Sequence, residues 1–265
     1  MNNFNRRKFL SQTLIGAGGL MVANLPVTKE NRETMETNEF KRPKVIFFDV
    51  NETLLDLAPL KESVAQALDG KKELVSLWFT TLLQYSLVVT VGEQYRDFSE
   101  IGAATLRMVA KNQNINLTEE KARQVLKPML SLPAHPDVAP ALARLKQGGF
   151  RLVTLTNSSN KAVEAQMTYS GLKQYFEKLW SVEDISLYKP HLKVYQWASE
   201  KMDVKPEECM LVAAHGWDVA GARWAGWQTA FISLPGQQLY PLAEEPEIVA
   251  PTLLQVAEKL LALKE

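Results

Sequence analysis

The stretch Val45-Ile46-Phe47-Phe48-Asp49-Val50-Asn51-Glu52-Thr53-Leu54 decides the reading of this chain. An apolar run rich in β-branched and aromatic residues ends in a carboxylate, and a polar turn follows. Such a run reads as a strand buried on both faces of a parallel sheet. Open α/β sheets bind their ligands outside the carboxyl ends of the strands, so Asp49 stands where a nucleophile would work.

The rest of the chain supports that architecture. After the first strand, helical apolar spacing covers 59–68, 71–91, 98–111 and 119–130. The run Leu87-Val88-Val89-Thr90-Val91 reads as the end of the second of these helices. Thr118-Glu119-Glu120-Lys121 supplies an N-cap and an acidic first turn. Pro133 and Pro136 mark the return, and helices and strands then alternate. Helices are expected at 138–147, 161–169, 194–202, 219–224 and 252–263. Strands are expected at 151–156, 179–182, 209–213 and 228–232. Alternation of this kind predicts a doubly wound parallel sheet of Rossmann type. The predicted organisation is an α/β core at 43–58 and 133–265, with an all-helical cap inserted at 59–132.

Composition narrows the function classes. The chain has 265 residues, 46% hydrophobic and 23% charged, with 30 basic and 30 acidic side chains. That balance gives no basic stripe for nucleic acid. A single cysteine, Cys209, excludes an intramolecular disulfide and a cysteine zinc cluster. Its apolar neighbours Met210-Leu211-Val212 suit a buried structural thiol.

Four predicted strand ends carry polar groups. The first gives Asp49 and Thr53, the second Thr156-Asn157-Ser158-Ser159. Leu187-Tyr188-Lys189-Pro190 follows the third, and Ala213-Ala214-His215-Gly216-Trp217-Asp218 the fourth. Parallel topology makes these distant segments neighbours. The set resembles the motifs of the haloacid dehalogenase (HAD) superfamily. Within it, Thr156-Asn157, Tyr188-Lys189-Pro190 with Val194-Tyr195, and Trp217-Asp218-x-x-Gly221-Ala222-Arg223 resemble the type II L-2-haloacid dehalogenases. The cap segment Leu77-Trp78-Phe79-Thr80-Thr81-Leu82-Leu83-Gln84-Tyr85 shares the likeness.

The resemblance implies an in-line displacement. A carboxylate attacks C2 of a small 2-haloacid, halide leaves, and water hydrolyses the resulting ester to a 2-hydroxy acid. It implies Asp49 as nucleophile, Thr53 and Lys189 as its positioning groups, and Asp218 as the acid orienting Lys189. Thr156 and the backbone N–H groups of Val50 and Asn51 would bind the substrate carboxylate. Asn157 would support the first motif and Tyr195 the lysine side of the pocket. A homodimer through cap and core helices is also compatible with the family.

Superfamily phosphatases carry a second Asp where Asn51 stands, as general acid for an alkoxide leaving group. A halide leaves without a proton. Asn51, Ala213 and Ala214 also remove acids that would hold Mg²⁺, so neither metal nor cofactor is expected. Three further departures concern the dehalogenases themselves. They usually carry an Arg at Phe79, an Asn at His215 and a Gly at Glu52. A minority branch has the His/Glu combination, thought to activate the hydrolytic water. A carboxylate beside an imidazole orients it and raises its basicity. Phe79, Phe98 and Trp217 are the candidates for an apolar halide cradle, with the Trp indole N–H as donor. The rival readings are a Mg²⁺-dependent phosphatase of the same fold and a non-catalytic binding protein.

His135 is expected in a hinge loop, and His191 at a surface helix start. Trp180, Trp197 and Trp224 are expected in packing. Residues 1–42 stand apart from the fold. Asn5-Arg6-Arg7-Lys8-Phe9-Leu10 resembles a twin-arginine export signal, and a short Gly-rich apolar stretch follows from 14 to 22. A polar linker then runs to 42. The membrane is therefore expected to matter only for export, with a periplasmic or exported location; without a working signal the location would be cytoplasmic.

Overall fold

A computed structural model describes residues 40–263 of the chain. The twin-arginine-like segment and the apolar stretch after it lie outside the described residues. The fold takes in Arg42, placed above in the linker: its guanidinium stacks 3.9 Å from the centroid of the Phe150 ring.

The first strand, β1, spans Val45–Phe48 and is wholly buried. Four helices follow it: α1 (Ala58–Ala67), α2 (Glu73–Val91), α3 (Phe98–Asn112) and α4 (Glu119–Val125). A 3-10 turn at Lys127–Leu130 completes the helical insertion, where the spacing had predicted one continuous helix. Pro128 explains the break, since proline cannot donate within an α-helix. By length and hydropathy α2 could cross a bilayer. In the fold it buries Val75, Trp78, Leu82, Ser86 and Thr90, three to four residues apart, in one stripe. Trp78 Nε1 donates to the Gly102 carbonyl of α3 at 3.0 Å.

The core then alternates as expected. It runs through α5 (Val138–Gln147), β2 (Arg151–Thr156), α6 (Asn160–Tyr169), β3 (Lys178–Ser181), α7 (Leu192–Lys201), β4 (Cys209–Ala213), α8 (Gly216–Trp224), β5 (Gln228–Ile232), β6 (Ile248–Ala250) and α9 (Leu253–Leu261). The sheet order is β3-β2-β1-β4-β5-β6, and every pairing is parallel. The order reverses between β1 and β4, the switch point where such sheets open a crevice.

Three further differences from the sequence expectation bear on the site or the sheet. The strand β6 was not expected; three residues between Glu247 and Pro251 are too few to show periodicity. The helix α7 starts two residues early because the His191 side chain caps it, Nδ1 accepting from the Lys193 N–H at 3.2 Å. The helix α8 starts at Gly216, directly after His215.

Packing follows the expected lines. Cys209 is a buried free thiol, and burial pushes its pKa up to about 12. The Trp180 and Trp197 rings pack at a tilt of 48°, their centroids 5.1 Å apart. Trp224, expected in packing, is 54% exposed and lies edge-on to the Tyr240 ring.

Candidate active site

Asp49 leaves β1 at the switch point, its N–H donating to the Val212 carbonyl of β4 at 3.1 Å. The turn behind it closes on itself, Leu54 N–H donating to Val50 O at 2.9 Å. That turn brings Thr53 back, and its hydroxyl donates to Asp49 Oδ2 at 2.6 Å. The same Thr53 oxygen accepts from the Ala214 N–H at 2.9 Å, tying the first and fourth strand ends together.

Lys189 is 1% exposed and approaches from the third loop. Its ammonium donates to Asp49 Oδ1 at 3.0 Å, Asp218 Oδ2 at 2.5 Å and the Leu155 carbonyl at 2.8 Å. Three acceptors match its three donors, the condition for burying an ammonium. Asn157 positions this lysine from the second strand end, its Oδ1 accepting from the Lys189 N–H at 3.1 Å. Tyr195 closes the other side, its hydroxyl donating to Asp218 Oδ1 at 2.6 Å. Gly221 lets the segments meet: a Cβ there would lie 2.4 Å from Pro190 Cβ and 2.7 Å from the Tyr195 hydroxyl.

On the opposite side of Asp49 stands His215, 4% exposed. Its Nδ1 lies 3.1 Å from Asp49 Oδ2 and its Nε2 3.1 Å from Glu52 Oε2. Phe79 and Trp217 both stack on the imidazole, with centroids at 6.1 and 5.3 Å. Glu52 holds a left-handed backbone, φ 66°. That conformation is uncommon outside glycine and fits a position where the family usually has glycine. Lys61 of α1 donates to Glu52 Oε1 at 2.6 Å, and Gln237 donates to Oε2 at 2.8 Å. His135 Nε2 lies 2.9 Å from the Glu52 carbonyl, so this hinge residue also fixes the turn.

Charges therefore alternate across the site: Glu52, His215, Asp49, Lys189, Asp218. Burial alone would raise the Asp49 pKa. The Lys189 ammonium and the hydrogen bonds from His215 and Thr53 outweigh it and hold the carboxyl well below its usual range. Burial likewise opposes charge on Lys189, but Asp218 and Asp49 keep its pKa raised. For His215, burial favours the neutral ring, yet Asp49 and Glu52 push its pKa up to about 9. Burial also opposes charge on Glu52, while His215 and Lys61 bring it down to about 2.

A cavity of about 670 Å³ opens on the Glu52–His215 side of this centre; Asp49, Val50, Asn51 and Thr156 lie buried behind it rather than in its lining. Glu52, His215, Trp217 and Gln237 line its core side, and Leu60, Trp78, Phe79 and Leu83 its cap side. Phe98 does not line it. That ring is buried at the start of α3, 5.8 Å from Tyr188, and borders a separate groove with Asp97 and Ser158. Its helical spacing signalled burial but could not say against what. Thr156 is buried at its strand end, its hydroxyl oxygen accepting from the Ser158 N–H at 3.1 Å. Val50 is buried in the turn.

The donors around Asp49 do not suit a divalent cation. Asn51 spends its amide on Ser158 and Gln166, at 2.9 Å each. Ala213 and Ala214 offer no side-chain oxygen. The Lys189 ammonium lies between the two carboxylates that would have to bind the ion. Among the described residues no group of three His, Cys, Asp or Glu side chains is arranged for a metal.

Sheet order, helical insertion and the four polar strand ends together define a hydrolase of the HAD type. The haloacid dehalogenase-like hydrolase family matches residues 43–226, and the chain belongs to that family. It is 30% identical over 187 residues to (S)-2-haloacid dehalogenase 1 of Pseudomonas sp. (strain CBS-3), covering 70% of this chain and 82% of that one. It is 29% identical over 214 residues to haloacetate dehalogenase H-2 of Moraxella sp. (strain B), covering 80% and 96%. The L-2-haloacid dehalogenase of Xanthobacter autotrophicus superposes with a TM-score of 0.78 at 22% identity, over 84% of this chain and all of the other. That likeness shows the shared fold.

Lys61 and Gln237 were not found from the sequence. Gln237 sits in a loop outside the four motifs, and Lys61, the one lysine of α1, reads locally as a solvated surface residue.

Proposed function

We propose that the protein hydrolyses short-chain L-2-haloacids to 2-hydroxy acids of inverted configuration. The observation that carries this reading is Asp49, held ionised by Lys189 at 3.0 Å, with a neutral amide at Asn51. Such a carboxylate is a ready nucleophile, and nothing at Asn51 can protonate an alkoxide. The leaving group this pair suits is one that departs as a stable anion.

In the first step Asp49 attacks C2, the carbon–halogen bond breaks, and halide leaves with the bonding electrons. Thr156 and the N–H groups of Val50 and Asn51 hold the substrate carboxylate. Phe79 and Trp217 form the apolar side of the halide site, with the Trp217 indole N–H as donor. In the second step water attacks the Asp49 carboxyl carbon and returns the free carboxylate. His215, oriented by Glu52, takes the water proton and returns it to the 2-hydroxy oxygen as the bond from the Asp49 carboxyl carbon to that oxygen breaks; the second water proton passes to solvent.

Timing follows from charge. In the resting enzyme two carboxylates flank His215 and favour the imidazolium. Ester formation neutralises Asp49 and removes one of them. The imidazolium then releases its proton to solvent and becomes a base when water must be activated.

The twin-arginine-like start supports export of the enzyme, and a homodimer is the assembly expected from the family. The deciding experiment is halide release from bromoacetate, chloroacetate and each enantiomer of 2-chloropropionate, with and without EDTA. Release from the haloacetates and the S enantiomer, unaffected by EDTA, is expected. No release from any of them, or a loss restored by Mg²⁺, would refute the assignment.

A further inference from the structure

The loop between β5 and β6 crosses the site, and no motif position includes it. Its turn, Leu234-Pro235-Gly236-Gln237, closes with the Gln237 N–H donating to Leu234 O at 3.0 Å. Pro235 followed by Gly236 at φ +86° is the signature of a type II turn. The turn fixes where Gln237 points. Its amide donates to Glu52 Oε2, the same oxygen that faces His215 Nε2.

A second observation ties the loop to the histidine. A Cβ on Gly216 would lie 2.1 Å from the Gln238 carbonyl oxygen and 3.0 Å from Leu239 Cα. Both obstacles are backbone, so no side chain can swing aside. The glycine directly after His215 is what allows the loop to seat.

We infer that Gln237 is a positioning residue: seated by the glycine at 216, it locks the Glu52 carboxylate onto His215. The inference rests on the dehalogenase reading above for its kinetic consequence, but not for its structural one. Glu52 is otherwise held by Lys61, whose own side chain is 52% exposed. A pair whose lysine end stands in solvent holds geometry less firmly than a buried contact. Without Gln237 the carboxylate is free to follow Lys61 toward solvent and away from the imidazole. The charged groups facing His215 directly are Asp49 and Glu52, while Lys189 and Lys61 act on it through those two.

The test is the titration of His215 by NMR in the resting enzyme, which needs no turnover. The chain has three histidines, so assignment through His→Gln variants is direct. Gln237→Ala should lower the His215 midpoint, because the ring loses the carboxylate that favours its charge. Gly216→Ala should lower it too, by unseating the loop. A midpoint that rises would mean Gln237 only drains charge from Glu52. An unchanged one would mean Glu52 needs no clamp. Either result overturns the inference, whatever the substrate.

With bromoacetate, Gln237→Ala should keep the first-turnover halide burst and slow ester hydrolysis on the order of tenfold, as expected for one hydrogen bond to a charged group. In a Glu52→Gln background the same substitution should have almost no further effect. An equal slowing there would place Gln237 outside the Glu52–His215 pair and defeat the proposal. Absence of halide release from the unsubstituted enzyme would instead count against the dehalogenase reading, and the titration would still decide the clamp.

Discussion

His215 Nδ1 lies 3.1 Å from Asp49 Oδ2, so the histidine shares the very carboxylate assigned here to the chemistry. The contact couples the two proposed steps. While Asp49 is a carboxylate the imidazole is driven toward its cation, with a pKa pushed up to about 9. Once Asp49 is an ester, only Glu52 remains to favour that charge.

Asp49→Asn imitates the neutral ester without the substrate. It should abolish turnover, since an amide cannot displace halide. It should also move the His215 NMR midpoint down from about 9. The sign is fixed: removing a negative neighbour disfavours the imidazolium. A midpoint that stays put would show that Asp49 does not control the histidine.

His215→Ala should leave the first step intact and cripple the second. Halide should appear as a stoichiometric burst, and intact mass should show an adduct on the enzyme. General-base catalysis contributes on the order of 10²–10⁴-fold, so hydrolysis should slow by about that factor. In the unsubstituted enzyme, hydrolysis should rise with pH as the ester-state imidazole loses its proton. Neither burst nor adduct in His215→Ala would assign the histidine to the first step.

Lys189→Met removes the cation shared by two buried carboxylates, at 3.0 Å from Asp49 and 2.5 Å from Asp218. Stability should fall by about 3–5 kcal/mol, the usual cost of stranding a buried charge. Urea unfolding at neutral pH measures it. Adding Asp218→Asn should recover part of that loss but none of the activity. A Lys189→Met enzyme as stable as the parent would mean the carboxylates had found another partner.

Much of this was legible from local sequence. The strand at Val45–Phe48 announces itself by a continuous apolar run, and the motif residues follow from strand ends that parallel topology brings together. Lys189, Tyr195 and Asp218 meet as their motif positions implied, whereas Asn157, expected to support the first motif, holds the Lys189 backbone of the third loop instead. What stayed hidden is contact across elements. Phe98 looks like Phe79 in sequence, an aromatic on a cap helix, but one faces Tyr188 and the other His215. Gln237 lies in a loop whose only local signal is a Pro-Gly turn. Its partner Glu52 is 185 residues away. The strand β6 is too short to carry a period.

The central claim is that Asp49 forms a covalent ester, and oxygen labelling tests it most directly. Enzyme in excess over bromoacetate should be allowed one turnover in water enriched in ¹⁸O. The glycolate product should carry unlabelled oxygen from Asp49, and peptide mass analysis should find one ¹⁸O in that aspartate. Label in the product of the first turnover, with Asp49 unlabelled, would mean that water attacked C2 directly and would contradict the account.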